Sequence, residues 1–142
     1  MPPNGRKEHW VTCLWAGCTY ALMVYAIGFV LGAIRVLLLV PRLGAFVSVL
    51  LELPLILGAS FLFAKVTVKR FAVPEQIASR ALMGATAFSV LMCGELAVFV
   101  FVFGNPSSAF LTQFATAPGA MGLAGQVAFA LFPSLQRRPG KI

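Results

Sequence analysis

The chain has 142 residues, 60% of them hydrophobic and 11% charged, with a mean hydropathy of +0.93. Soluble domains carry roughly 25% charged residues, so a water-soluble fold is excluded and the composition is that of a membrane protein. The net charge of +7 does not point to nucleic acid, because the basic residues gather at the ends of apolar runs, where they anchor helices and set orientation.

Residues 1–10 (MPPNGRKEHW) read as a short polar leader. The apolar run that follows continues to Val40, too long for the 7–15-residue core of a cleaved signal peptide, so it is expected to be a first transmembrane helix over about 11–40. Trp10, Trp15 and Tyr20 are expected toward the interface at the leader end, with the single histidine, His9, at the membrane edge. Gly17, Ala21, Gly28 and Gly32 fall on one stripe with Tyr25 and Arg35, and Gly28-xxx-Gly32 is the spacing by which helices approach closely in lipid. The stripe therefore predicts the face that meets neighbouring helices, with Arg35 on it.

Pro41-Arg42-Leu43-Gly44 reads as a tight turn. A second helix is expected over about 44–66, with Ala45, Ser48, Glu52 and Ala59 on a small, polar face and Pro54 near its first turns. The connection Lys65 to Arg80 (KVTVKRFAVPEQIASR) is the one substantial polar segment, and its Lys65, Lys69, Arg70 and Arg80 are expected to meet anionic lipid headgroups. A third helix, about 81–103, is interrupted by Glu95 and ends in VFVFVF, a lipid-facing composition. Gly104-Asn105-Pro106-Ser107-Ser108 predicts a turn. A short interfacial stretch and then a fourth helix over about 118–135 are expected, with Ala120, Ala124 and Ala128 as a small-residue stripe. A single helix bent at Pro118 is the alternative, and residues 137–142 form a basic tail.

With both termini on the cytoplasmic side, nine of the eleven basic residues (Arg6, Lys7, Lys65, Lys69, Arg70, Arg80, Arg137, Arg138, Lys141) lie inside. Arg42 then sits at the outer mouth and Arg35 within the membrane, as the positive-inside rule requires. At 1.5 Å per residue, Arg35 lies ~11 Å, Glu52 ~14 Å and Glu95 ~13 Å from the outer turns, so three ionisable groups on three helices share one level. Side chains lean toward the N-terminus of their helix, which brings Arg35 and Glu52 of antiparallel neighbours together, and an ion pair is expected because an unpaired arginine at that depth costs ~2.5 kcal/mol or more. Glu95 can be protonated, join that pair or bond Gln126.

No catalytic set is present: there is no Ser/His/Asp or Cys/His arrangement, no phosphate-binding glycine loop and no metal or haem ligand pattern. The three cysteines, Cys13, Cys18 and Cys93, lie in predicted spans without metal-ligand spacing, and buried apolar cysteine is the expected state. The sequence thus predicts an all-α bundle of four transmembrane helices, no enzyme and no cofactor. Lipid bilayer, further copies of the chain or other membrane proteins are its expected company. The function expected is a non-catalytic helix-packing or complex-subunit role; the alternative is a small transporter or channel component that handles protons, ions or an anionic solute through Arg35, Glu52 and Glu95.

Five phrases, GFVLGAIRVLLLVPRLG, LELPLILGAS, KRFAVP, RALMGATAFSVLMCGELA and GLAGQVAFALFP, together resemble a family of small uncharacterised bacterial four-helix integral membrane proteins. The resemblance implies a bacterial inner membrane and brings no activity with it.

Overall fold

A computed structural model describes residues 4–136 and is all α-helical, with four helices long and apolar enough to cross a membrane. Helix α1 runs Asn4–Ile34 and continues through a π-helical turn, Arg35–Leu39, into a last turn, Val40–Leu43. Helix α2 is Ala45–Arg70; α3 is Ile77–Ala97 with a π-helical extension Val98–Val102; α4 is Ala117–Leu135. The first three helices begin earlier or end later than hydropathy alone indicates, because polar segments such as 4–10, 65–70 and 79–80 continue the helix beyond its apolar run, while α4 keeps close to the expected bounds. The basic tail at 137–142 lies outside the described residues.

The expected Pro41–Gly44 turn is still helical through Leu43, and Gly44 alone reverses the chain at φ +82°. A side chain is strained in that left-handed region, which is why glycine stands there. Pro41 has no N–H for the carbonyl four residues back, and its ring would strike that carbonyl in a regular turn. The wider π turn just ahead of it relieves the conflict, with the Val40 N–H reaching Arg35 O instead. Pro54 lies deeper in α2 than expected, roughly two and a half turns from Ala45, and the helix runs through it.

At the other connection, Gly104 takes φ +68° and two short 3-10 turns, Ser107–Ala109 and Leu111–Ala115, cross the end of the bundle. Thr116 then caps α4, its side chain accepting from the Gly119 N–H at 3.2 Å, with Pro118 in the first turn, where its missing donor costs nothing.

In cross-section α1 and α4 each pack mainly against both α2 and α3. The diagonal between α1 and α4 is bridged by Tyr20, whose ring stacks on Phe129 at 4.4 Å between centroids. Its hydroxyl donates to Phe129 O at 2.8 Å. That carbonyl is available because Pro133, four residues on, has no N–H to give it. Tyr20 is therefore fully buried and not interfacial as expected: a buried hydroxyl goes where an unused acceptor is, and Pro133 creates one. Trp10 and Trp15 are exposed.

The core is one-sided. Cys13, Ala16, Tyr20, Val24, Ala64, Met83, Ala87, Leu91 and Phe129 form a continuous buried cluster, all in the half of the bundle nearer the α2–α3 connection. Here glycine permits close approach. A Cβ at Gly17 would lie 2.7 Å from Met83 O, and one at Gly84 would run into Ala130 O. The Gly28-xxx-Gly32 pair does not do this. A Cβ at Gly28 would meet only the tip of Ile56 at 3.6 Å, and one at Gly32 only the Arg35 guanidinium at 3.8 Å. The expected small-residue face on α4 is also turned: Ala120 and Ala124 are exposed, and Gly119, Gly122 and Gly125 face inward. Cys13 is buried as expected, whereas Cys93 is exposed on α3.

Gly17→Ala and Gly84→Ala are each expected to lower stability by roughly 1–3 kcal/mol through overpacking. Gly58→Ala, with open space around its Cβ, should instead be neutral or stabilising by up to ~1 kcal/mol. Thermal unfolding in detergent checks the contrast, and equal effects at all three positions would contradict the packing described.

Candidate functional site

In the half of the bundle nearer Gly44 the helices separate around a cavity of about 720 Å³. No buried side chain of α1 lies beyond Val24, and on α4 buried side chains begin only at Phe129, so the packed core ends where the cavity starts. Gly28 and Gly32 of α1 and Gly119, Gly122 and Gly125 of α4 line it. Gly28, Gly32 and Gly122 supply volume here, whereas Gly119 and Gly125 admit neighbours closely, a Cβ at the first running into Gln113 O and one at the second lying 2.7 Å from the tip of Leu53. The 3-10 segment covers one end: Phe110, buried, meets Phe99 of α3 and Phe114 edge-on, each at 5.5 Å between centroids. Gln113 also faces the space.

Arg35, Glu52, Glu95 and Gln126 all line this cavity. Arg35 Nε lies 2.6 Å from Glu52 Oε2. Its N–H is directed off the line to that oxygen and makes no hydrogen bond, so the attraction is that of two charges in contact. Gly32, one turn earlier, leaves room for the guanidinium to fold back along α1, the lean expected from helical geometry. Glu95, on α3, accepts a hydrogen bond from Gln126 Nε2 of α4 at 2.6 Å. Of the alternatives left open for Glu95, the structure contains the bond to Gln126. Gln126 Oε1 is sequestered and has no hydrogen-bond partner among the described residues. Beside Glu95, the Tyr25 hydroxyl donates to Gly94 O at 3.2 Å, with its ring lying over the glycine. Ser48 and Ser60, which face inward on α2, return their hydroxyls to their own helix, at Gly44 O and Ile56 O, so neither offers a free donor.

Arg42 is exposed and does not line the cavity. Lys65, Lys69 and Arg70 are exposed at the end of α2, as headgroup contact requires. Arg80 is the correction. It is only 4% exposed and is committed to four carbonyl bonds: Nε to Pro74 O at 2.9 Å, Nη2 to Val73 O at 3.3 Å, and Nη1 to Pro133 O at 3.2 Å and Gln136 O at 2.5 Å. The reason is geometric. The chain turns at 71–76 and α4 ends beside it, so the carbonyls of Val73, Pro74 and Gln136 collect at one point with Pro133 O, which also accepts the Gln136 N–H at 3.3 Å, and the planar fork of donors reaches them together. The sequence carries a signal for this in Pro133 near the last turn of α4 and in the absence of any acidic residue there, but it does not say which cation serves. Among the described residues there is no group of three or more His, Cys, Asp or Glu side chains placed to hold a metal ion.

Comparison with protein-family models, with curated proteins and with solved structures finds no match for this chain.

Glu52→Gln should cost about 3 kcal/mol, the low end for a broken buried pair because the Arg35 side chain is 32% exposed. The joint change Arg35→Met/Glu52→Leu should recover much of that loss; strictly additive losses on thermal unfolding would show that the two charges are not coupled. Arg80→Met should cost roughly 3 kcal/mol or more by stranding the carbonyls of Val73, Pro74 and Gln136, against no more than ~0.5 kcal/mol for Lys69→Met at the exposed end of α2. Matched losses at the two positions would place Arg80 at the surface after all.

Proposed function

We propose that this chain is a non-enzymatic solute-handling membrane protein, a small transporter or channel component, and that the cavity lined by Arg35, Glu52 and Glu95 is its binding chamber. The observation that carries this reading is the juxtaposition of about 720 Å³ of space with three ionisable side chains inside a membrane-spanning bundle. Charges that serve only to fix helix register need a partner and no room; these have both, and ionisable groups facing an interior cavity mark solute and ion pathways in membrane proteins. From the sequence a packing role comes first and solute handling is the alternative; a cavity of this size supports the alternative. Ligand pockets span about 300–1,000 Å³, and this one lies within that range.

The membrane proposed is the inner membrane of a bacterium, with both termini cytoplasmic, which puts the cavity in the outer half. The distribution of Lys and Arg supports that orientation. Lys65, Lys69 and Arg70 then meet anionic headgroups on the cytoplasmic side; Arg80, buried and bonded to four carbonyls, is withdrawn from them. Association with further copies or other membrane proteins, without solute handling, is the second reading, and it is favoured by Ala120 and Ala124, small residues exposed on α4 where another helix can approach closely.

Reconstituted in liposomes, the protein should conduct protons or a charged solute above the background of empty vesicles, and Glu95→Gln should reduce that flux while leaving unfolding behaviour near wild type. Folded protein without flux would shift the assignment to the second reading.

A further inference from the structure

We infer that the cavity accepts a lipophilic organic cation, its charge at Glu95 and its body against the aromatic wall. The inference rests on the solute-handling reading and names the chemistry of the solute. The charged residues lining the cavity are Arg35, Glu52 and Glu95. Arg35 is balanced by Glu52 at 2.6 Å, so one carboxylate remains, and its neighbour Gln126 supplies a hydrogen bond at 2.6 Å but no positive charge. The field of Arg35 reaches Glu95, yet one guanidinium cannot neutralise two carboxylates. An anionic solute finds no free cation here, because Arg35 is taken by Glu52 and Arg42 does not line the space.

The rest of the wall decides what kind of cation fits. A small metal ion in a dry site needs several oxygen ligands, usually including more than one carboxylate, and the described residues contain no group of three or more His, Cys, Asp or Glu side chains placed to hold one. The lining is mainly apolar and aromatic, with Tyr25, Phe29, Phe99, Phe110 and Phe114 among its rings. Aromatic faces attract weakly hydrated cations, and more strongly once water is excluded. The sequestered Gln126 Oε1, which has no donor of its own among the described residues, adds a second negative pole beside the carboxylate. A bulky monocation with apolar substituents satisfies charge, dipole and rings at once.

The test is a matched pair of probes, tetraphenylphosphonium and tetraphenylborate, which share size and shape and differ in sign. Equilibrium dialysis against nanodiscs holding the full chain, corrected with empty nanodiscs, should show saturable binding of the cation. Glu95→Gln, which keeps a hydrogen bond to Gln126, should weaken it at least about tenfold, and Glu95→Asp should restore most of it. Gly122→Leu should abolish binding with the fold intact, because Gly122 lines the cavity and a Cβ there meets nothing within 4 Å; this variant carries the test if Glu95→Gln fails to fold. Cation binding indifferent to both changes, or borate bound in preference and lost in Gly122→Leu, overturns the cation assignment and leaves a solute chamber standing. Neither probe bound while protons still cross reconstituted vesicles also overturns this inference alone. Neither binding nor flux from folded protein overturns it together with the chamber.

Discussion

A guanidinium in hydrocarbon must find its counter-charge inside the protein, and in this bundle that requirement governs how α1 and α2 are set against each other. Arg35 and Glu52 meet only if Gly44 reverses the chain with almost no loop and both helices keep their inward faces over the following turns. Sliding α2 by one turn would carry the carboxylate ~5.4 Å along the axis and out of contact. The π turn beginning at Arg35 belongs to the same arrangement, since it absorbs the conflict made by Pro41 and lets α1 continue to Leu43. A second π turn, Val98–Val102, follows Glu95 closely on α3. Each such turn advances the side-chain phase by about one residue, ~100°. On α3, Val98 and Phe99 face the cavity and Phe101 and Val102 are exposed; Phe103, just beyond, lines the cavity again.

The bundle joins two solutions to packing in lipid. Where Gly17 and Gly84 admit the backbones of neighbours, van der Waals contact holds the helices, as expected where no hydrophobic transfer separates protein from solvent. Where Gly28, Gly32 and Gly122 meet no backbone, the helices are held by the Arg35–Glu52 contact, by the Glu95–Gln126 hydrogen bond and by the capping segment with Phe110. Tyr20 on Phe129 marks the boundary between them. Cohesion thus passes from close contact to polar bridges along the length of one bundle.

The number of spans, the reversal near Gly44, the shared level of the charges and the meeting of Arg35 with Glu52 were legible in the sequence, because hydropathy, helical rise and the lean of side chains depend only on local geometry. What glycine does was not legible. Gly17 and Gly28 look alike on a helical wheel, and whether a stripe of small residues brings a backbone close or leaves a hollow depends on what the facing helix presents, Met83 and Thr86 in one case and the end of Ile56 in the other. The fate of Arg80 was hidden for the same reason. Its partners lie 6, 7, 53 and 56 residues away, and a local charge count cannot tell a cation free to meet headgroups from one enclosed by the ends of distant segments. Tyr20 was misplaced at the interface because its acceptor is made by a proline more than a hundred positions on.

The separation of Arg80's partners along the chain also orders events in time. The carbonyls of Val73 and Pro74 exist as soon as the α2–α3 connection has been synthesised, whereas those of Pro133 and Gln136 arrive only with the end of α4. Until then two of the guanidinium's four hydrogen bonds are unmade. During synthesis Arg80 is therefore one more positive charge holding the α2–α3 connection on its side of the bilayer, and once α4 has inserted, the same side chain becomes the latch that seats the last helix. One residue first helps to fix the topology of the chain and afterwards closes the bundle.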